Sequence, residues 1–191
     1  TGSYYATGNE NHLFTIHLSS NVTPFYYAEL DSSIISIDFN DNDTIILVAC
    51  INNIYLFDLS HTSNTVKRKK DKQSFKFPVI HAEFISSNQY VVCIKGNPIR
   101  LYTVKKNGGN FTKQFDTSNN STPYYSTRNE EGGIVAGYYD GCIRIFHPDS
   151  NHESFFLQIH DQPIIQLITS GPKIICLSID GRVFIANAKT K

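Results

Sequence analysis

The chain has 191 residues, long enough for one substantial core, and its 17 Lys and Arg balance 17 Asp and Glu. With no net charge, the chain as a whole is not drawn to nucleic acid or acidic membranes. The longest apolar stretch, Ile45–Ile51, is far too short to span a bilayer, and the first residues do not read as a signal peptide. Four cysteines occur without a Cys-x-x-Cys pair, which argues against a zinc site. Cys50, Cys93 and Cys176 sit inside apolar runs, as small core residues do. They are expected to be buried and unpaired, which places the chain in a reducing, intracellular compartment, cytoplasmic or nuclear.

In chain order, the first strand-like segments are Leu13–His17 (LFTIH) and Phe25–Leu30. A second group follows at Ile34–Phe39, Thr44–Cys50, Ile54–Asp58 (IYLFD) and Ser74–Phe77. The third comprises Val79–Ile85, Tyr90–Ile94, Ile99–Thr103 (IRLYT) and Phe111–Phe115. The fourth comprises Tyr124–Arg128, Gly133–Gly137, Ile143–His147 (IRIFH) and Ser154–Ile159. The last is Ile164–Thr169, Lys173–Ser178 and Val183–Asn187 (VFIAN). No segment carries a long 3.6-residue period, so almost no helix is expected.

The five quoted pentapeptides resemble one another. Their fourth residues, Ile16, Phe57, Tyr102, Phe146 and Ala186, lie 41, 45, 44 and 40 positions apart. A repeat of about 40–45 residues built from short strands is the signature of a β-propeller. A β-sandwich also has short strands and turns, but it does not repeat a four-strand phrase at this period. The expected fold is therefore all-β, a propeller of four-stranded antiparallel blades. Its units cover approximately residues 1–30, 34–77, 78–116, 124–159 and 163–191. Lettered a to d within a unit, 18 strands are expected: b, c and d of the first unit, three full units, and a, b and c of the last. Five blades are fewer than such rings usually need, so this is expected to be part of a larger propeller. Tight turns join b to c at Asn52-Asn53, Gly96-Asn97, Asp140-Gly141 and Asp180-Gly181, residues that tolerate positive φ in two-residue hairpins.

On these residues the chain resembles the WD-repeat propeller family. The best match is His160-Asp161-Gln162-Pro163-Ile164-Ile165 followed by Asp180-Gly181-Arg182-Val183. The resemblance implies that His160 is a structural histidine and Asp180 its turn aspartate, with Gly181, Asp140 and Gly141 completing two such turns. The family's Trp-Asp ending of strand c survives only as Phe57-Asp58, and Trp is absent from the chain. Leu30, Phe75 and Asn120 stand where the histidine is expected in the other units. The hydrogen-bonded lock is thus expected to be mostly lost, with apolar packing between sheets in its place.

The strongest charge cluster is Lys67, Arg68, Lys69, Lys70 and Lys72, read as a long loop between strands c and d of the second unit. It is either a solvated loop, a nuclear-localisation signal or a patch for phosphate or an acidic partner. His152 and His160, with Glu153 and Asp161, form the densest histidine group, but they flank one strand about 25 Å apart if extended. They cannot share an ion, and no cofactor is expected. Tyrosine pairs recur at Tyr4-Tyr5, Tyr26-Tyr27, Tyr124-Tyr125 and Tyr138-Tyr139. Neighbours in a strand face opposite ways, so one of each pair belongs to the core and the other is free for a cleft between blades.

No nucleophile elbow, phosphate loop or zinc-hydrolase motif is present. The expectation is a non-catalytic protein-interaction scaffold or adaptor of an intracellular complex, presenting rim loops to other proteins. The alternative is a propeller that binds nucleic acid, phosphate or phosphoinositide through residues 67–72. The paired-arginine motif of lipid-binding propellers is missing, which counts against lipid.

Overall fold

The computed structural model describes residues 4–60, 65–115, 121–150 and 153–187. These form nineteen strands in five antiparallel sheets, with no helix among the described residues. The first sheet holds β1 (Tyr4–Gly8), β2 (Leu13–Leu18) and β3 (Tyr26–Glu29). The second holds β4 (Ile34–Phe39), β5 (Ile45–Cys50), β6 (Asn53–Ser60), β7 (Thr65–Arg68) and β8 (Gln73–Ser74). The third holds β9 (Val79–Ser86), β10 (Gln89–Ile94), β11 (Ile99–Val104) and β12 (Gly109–Phe115). The fourth holds β13 (Pro123–Arg128), β14 (Ile134–Tyr138), β15 (Cys142–Phe146) and β16 (Glu153–Gln158). The fifth holds β17 (Ile164–Ser170), β18 (Lys173–Ser178) and β19 (Val183–Asn187).

Each sheet pairs its strands in chain order, and successive sheets pack face to face. Four apolar clusters fill the four seams between the five sheets. The second strands explain how one sheet serves two seams. In β5, Ile46, Val48 and Cys50 face the first sheet, while Leu47 and Ala49 face the third. Burial on both faces is why these strands read as dense apolar runs rather than alternations. The outer faces of the end sheets are uncovered: Tyr27 on one is 74% exposed, and Ile185 on the other 69%. The four cysteines are free and buried, and burial pushes the Cys50 and Cys93 thiols up to about 12.

Two sequence expectations change. The outer strand of the second sheet is not Ser74–Phe77. It is split into β7 and β8, both paired with β6, which raises the count from eighteen strands to nineteen. Lys67 and Arg68 therefore lie in an edge strand rather than a loop. A charged run reads as a loop, but an edge strand exposes one side to water and tolerates lysine, which also discourages further pairing. The second change concerns the b–c turns. Of the four turns named from the sequence, only the glycines take positive φ: Gly96 (67°), Gly141 (78°) and Gly181 (84°). Gly141 N donates to Tyr138 O and Gly181 N to Ser178 O, so each is a type I turn closed by a left-handed glycine. The aspartates serve instead as acceptors, Asp140 from Cys142 N (3.1 Å) and Asp180 from Arg182 N (3.2 Å). A Cβ at Gly141 would also collide with the His160 carbonyl.

Candidate functional site

One rim of the arc is built by a backbone stitch repeated in four sheets. The amide of a residue in each b–c turn donates to the carbonyl just before, or at the entry to, the inner strand. The pairs are Ile51 to Ser33 (3.2 Å), Lys95 to Pro78 (2.9 Å), Tyr139 to Thr122 (2.9 Å) and Ile179 to Pro163 (2.9 Å). Ile51, Lys95, Tyr139 and Ile179 thus occupy equivalent rim positions. Lys95 is exposed, Tyr139 is 62% exposed and Ile179 is 55% exposed.

A second regularity lies just inside that rim. Each inner strand carries a β-bulge near its start, which leaves one residue without a partner on the next strand. Those residues are Ile35, Ile80, Tyr124 and Ile165. A bulge bends the strand and re-aims a side chain. Between the third and fourth sheets the two regularities meet. Ile80, Lys95, Thr122, Tyr124 and Tyr139 line an open cleft of about 430 Å³. Gly96 N donates to Thr122 Oγ1 (3.2 Å) and ties its two walls together. The Lys95 ammonium has no partner among the described residues. The cleft offers two phenol rings, an isoleucine and one uncompensated cation. It can bury an apolar side chain and pair a carboxylate.

The tyrosine pairs divide as strand geometry requires where a turn begins: Tyr138 is fully buried and Tyr139 lies in the cleft. Tyr27 is exposed on the end face, while Tyr26 packs against Phe14 and Phe57. Tyr125 turns inward and stacks on His81, with ring centroids 4.1 Å apart. The sequence reading missed Ile80, Lys95 and Thr122. The bulge leaves no mark in the residue types, and Lys95 reads as an ordinary turn lysine.

His160 is buried, with 5% of its side chain exposed. Its Nδ1 lies 2.9 Å from the Gln162 amide and 3.0 Å from Asp161 Oδ1, and its Nε2 lies 3.1 Å from Arg182 Nη1 and 3.3 Å from Asp180 Oδ2, so the ring joins the blade entry to the Asp180 turn. Phe184 packs against the ring at 5.1 Å between centroids. Desolvation would raise the Asp180 carboxyl, but the hydrogen bond from Arg182 N, with the nearby Ser178 hydroxyl, His160 and Arg182, holds it below its usual value. Asp140 has a different partner. Arg144, with no exposed surface, donates to both carboxylate oxygens (2.7 and 3.3 Å) and lies over the rings of Tyr138 and Phe156. Desolvation of Asp140 is again outweighed, here by Arg144, so that its carboxyl sits low. Arg144 was not singled out from the sequence. In the alternating run IRIFH, its residue type reads as an outward-facing charge.

Phe57 is buried in the seam between the first two sheets, and Asp58 accepts from Lys69 Nζ (3.0 Å). Leu30 is buried and Phe75 packs against Tyr102. Asn120 and His152 lie outside the described residues, and no cluster of three metal-ligating side chains occurs among those described. The basic run is partly compensated: Lys69 pairs with Asp58 and Lys72 with Asp31.

No protein-family model matches the chain, and no curated protein matches it. Solved structures do. The β-propeller domain of Cps50 (Swd1) from Myceliophteria thermophila superposes with a TM-score of 0.78 at 16% identity, covering 99% of this chain and 65% of that one. The C-terminal WD40 domain of Sif2 superposes with a TM-score of 0.80 at 18% identity, covering 98% of this chain and 52% of that one. The chain thus spans less than two thirds of either structure. With strand order, sheet packing and superposition agreeing, the chain has the fold of a WD40 β-propeller, represented by five blades.

Proposed function

We propose that the chain is a non-catalytic interaction scaffold, and that the cleft between its third and fourth sheets docks an extended segment of a partner protein. The reading extends to an adaptor subunit of an intracellular complex. The observation that carries it is the convergence of Tyr124, Tyr139 and Ile80 around an unpaired Lys95 on a rim held by repeated backbone hydrogen bonds. Aromatic side chains in a rigid cleft are the usual anchors of protein interfaces, and such rims change shape little on binding. The lone cation selects a partner with an acidic residue beside an apolar one.

Panning a random peptide library on the chain tests this. Enriched peptides should carry Asp or Glu next to an aliphatic or aromatic residue. Tyr139→Ala and Lys95→Glu should each weaken them by about tenfold or more, the scale of an interface hot spot. Failure to enrich any peptide, or binding indifferent to both changes, would remove the cleft as the docking site.

A further inference from the structure

At the other end of the strands, two basic segments from different sheets meet. After β7 the chain leaves the ladder: Lys69–Lys72 stand opposite only Tyr55 and Leu56 before β8 resumes pairing with β6. The excursion lands on the turn between β11 and β12. Asp71 N donates to Asn107 O (2.8 Å), Lys69 Nζ approaches Lys106 O (3.4 Å), and Asp71 bridges Gly108. Gly108 is what permits this approach, since a Cβ there would strike the Asp71 carbonyl. The contact sets Lys105 and Lys106 beside the run that starts at Lys67, although 33 residues separate Lys72 from Lys105 in the sequence.

The charges do not cancel. Asp58 is taken by Lys69 and Asp31 by Lys72. Lys67, Arg68, Lys70, Lys105 and Lys106 are exposed and have no ion-pair partner among the described residues; Asp71 is the only acid in either segment. No exposed large hydrophobic residue lies within 65–72 or 105–109. These two segments offer a peptide no large apolar side chain and a base no ring; the exposed ring nearest in sequence is Phe111, further along β12. A line of point cations without anchors fits the sugar-phosphate backbone of a duplex.

We propose that this seam between the second and third sheets is a sequence-independent binding surface for duplex nucleic acid, distinct from the tyrosine cleft. Five contacts predict a slope of log affinity on log salt of about −4.5, at about −0.9 per phosphate. That is a loss of about 500-fold between 50 and 200 mM salt.

The test is fluorescence anisotropy with a labelled 20-base-pair DNA duplex, run against the whole chain at several salt concentrations. Lys67→Ala with Arg68→Ala, and separately Lys105→Ala with Lys106→Ala, should each make the slope shallower by about 2. Lys173→Ala should leave it unchanged, and all variants should unfold at the same temperature as the parent. Loss confined to the 67–68 variant would overturn the two-sheet surface. Binding of polyglutamate or of phosphoinositide vesicles without binding of the duplex would overturn the choice of ligand.

Discussion

The fourth and fifth sheets carry the same Asp-Gly turn and satisfy its carboxylate in opposite ways. In the fourth, Asp140 is held by Arg144 from strand β15 of the same sheet, and the guanidinium is fully buried between two rings. In the fifth, Asp180 faces His160, which belongs to the connection arriving from the fourth sheet, and the arginine beside it, Arg182, is 69% exposed. The first arrangement ties a turn to its own strand. The second ties one blade to the entry of the next. One sequence signature therefore serves two mechanical purposes, and the partner decides which.

The largest expected effect follows from burial. Arg144→Ala removes a cation with no exposed surface and strands a carboxylate that is 28% exposed. Breaking a buried pair costs about 3–5 kcal/mol, and the partial exposure of Asp140 argues for the lower end. Denaturant titration measures it; a loss below about 1 kcal/mol would mean that water satisfies Asp140 unaided. His160→Ala should cost less, about 1–2 kcal/mol, because its partners Asp161, Asp180 and Arg182 all reach water and are not stranded by its loss. If its cost equalled that of Arg144→Ala, the distinction between the two locks would collapse.

Acid sharpens the comparison. Both carboxyls lie below their ordinary value in the folded chain. Their contribution is present above the unfolded-state value of about 3.9 and is lost as the pH falls through the lower folded value. Asp38 and Glu83, raised by burial, act in the opposite sense, so differences between variants are the useful reading. Thermal midpoints between pH 2 and 7 should fall less steeply on the acid side in Asp140→Asn than in the parent. An unchanged profile would show that the Arg144 pair does not bias the titration. The smallest effect belongs to Arg182→Ala, within about 0.5 kcal/mol because its side chain is mostly in water.

Much of the fold was legible because its signal is repetitive. The third strands recur at a nearly fixed distance, and the second strands are apolar throughout because two seams bury them. His160 stood out only through the resemblance of its segment to the family's structural histidine. What escaped depends on backbone offsets rather than residue types. The bulges that re-aim Ile80 and Tyr124 do not alter the apolar pattern, and the excursion at Lys69–Lys72 reads as a loop until β8 resumes the ladder. Arg144 escaped because alternation alone cannot tell a charge facing water from one buried between rings. Of the cleft, Tyr124 and Tyr139 were visible as members of pairs. Lys95 became significant only when the rim hydrogen bonds aligned it with Tyr139.

Photocrosslinking tests the docking rim most directly. A photoreactive phenylalanine analogue is placed at Tyr139 in one sample and at Tyr27, exposed on the end face, in another, each mixed with a peptide enriched on the parent chain. Crosslinking from position 139 and not from position 27, reduced by Lys95→Glu in line with its weaker binding, is the predicted result. Crosslinking from position 27 alone would contradict the assignment of the rim cleft as the docking site.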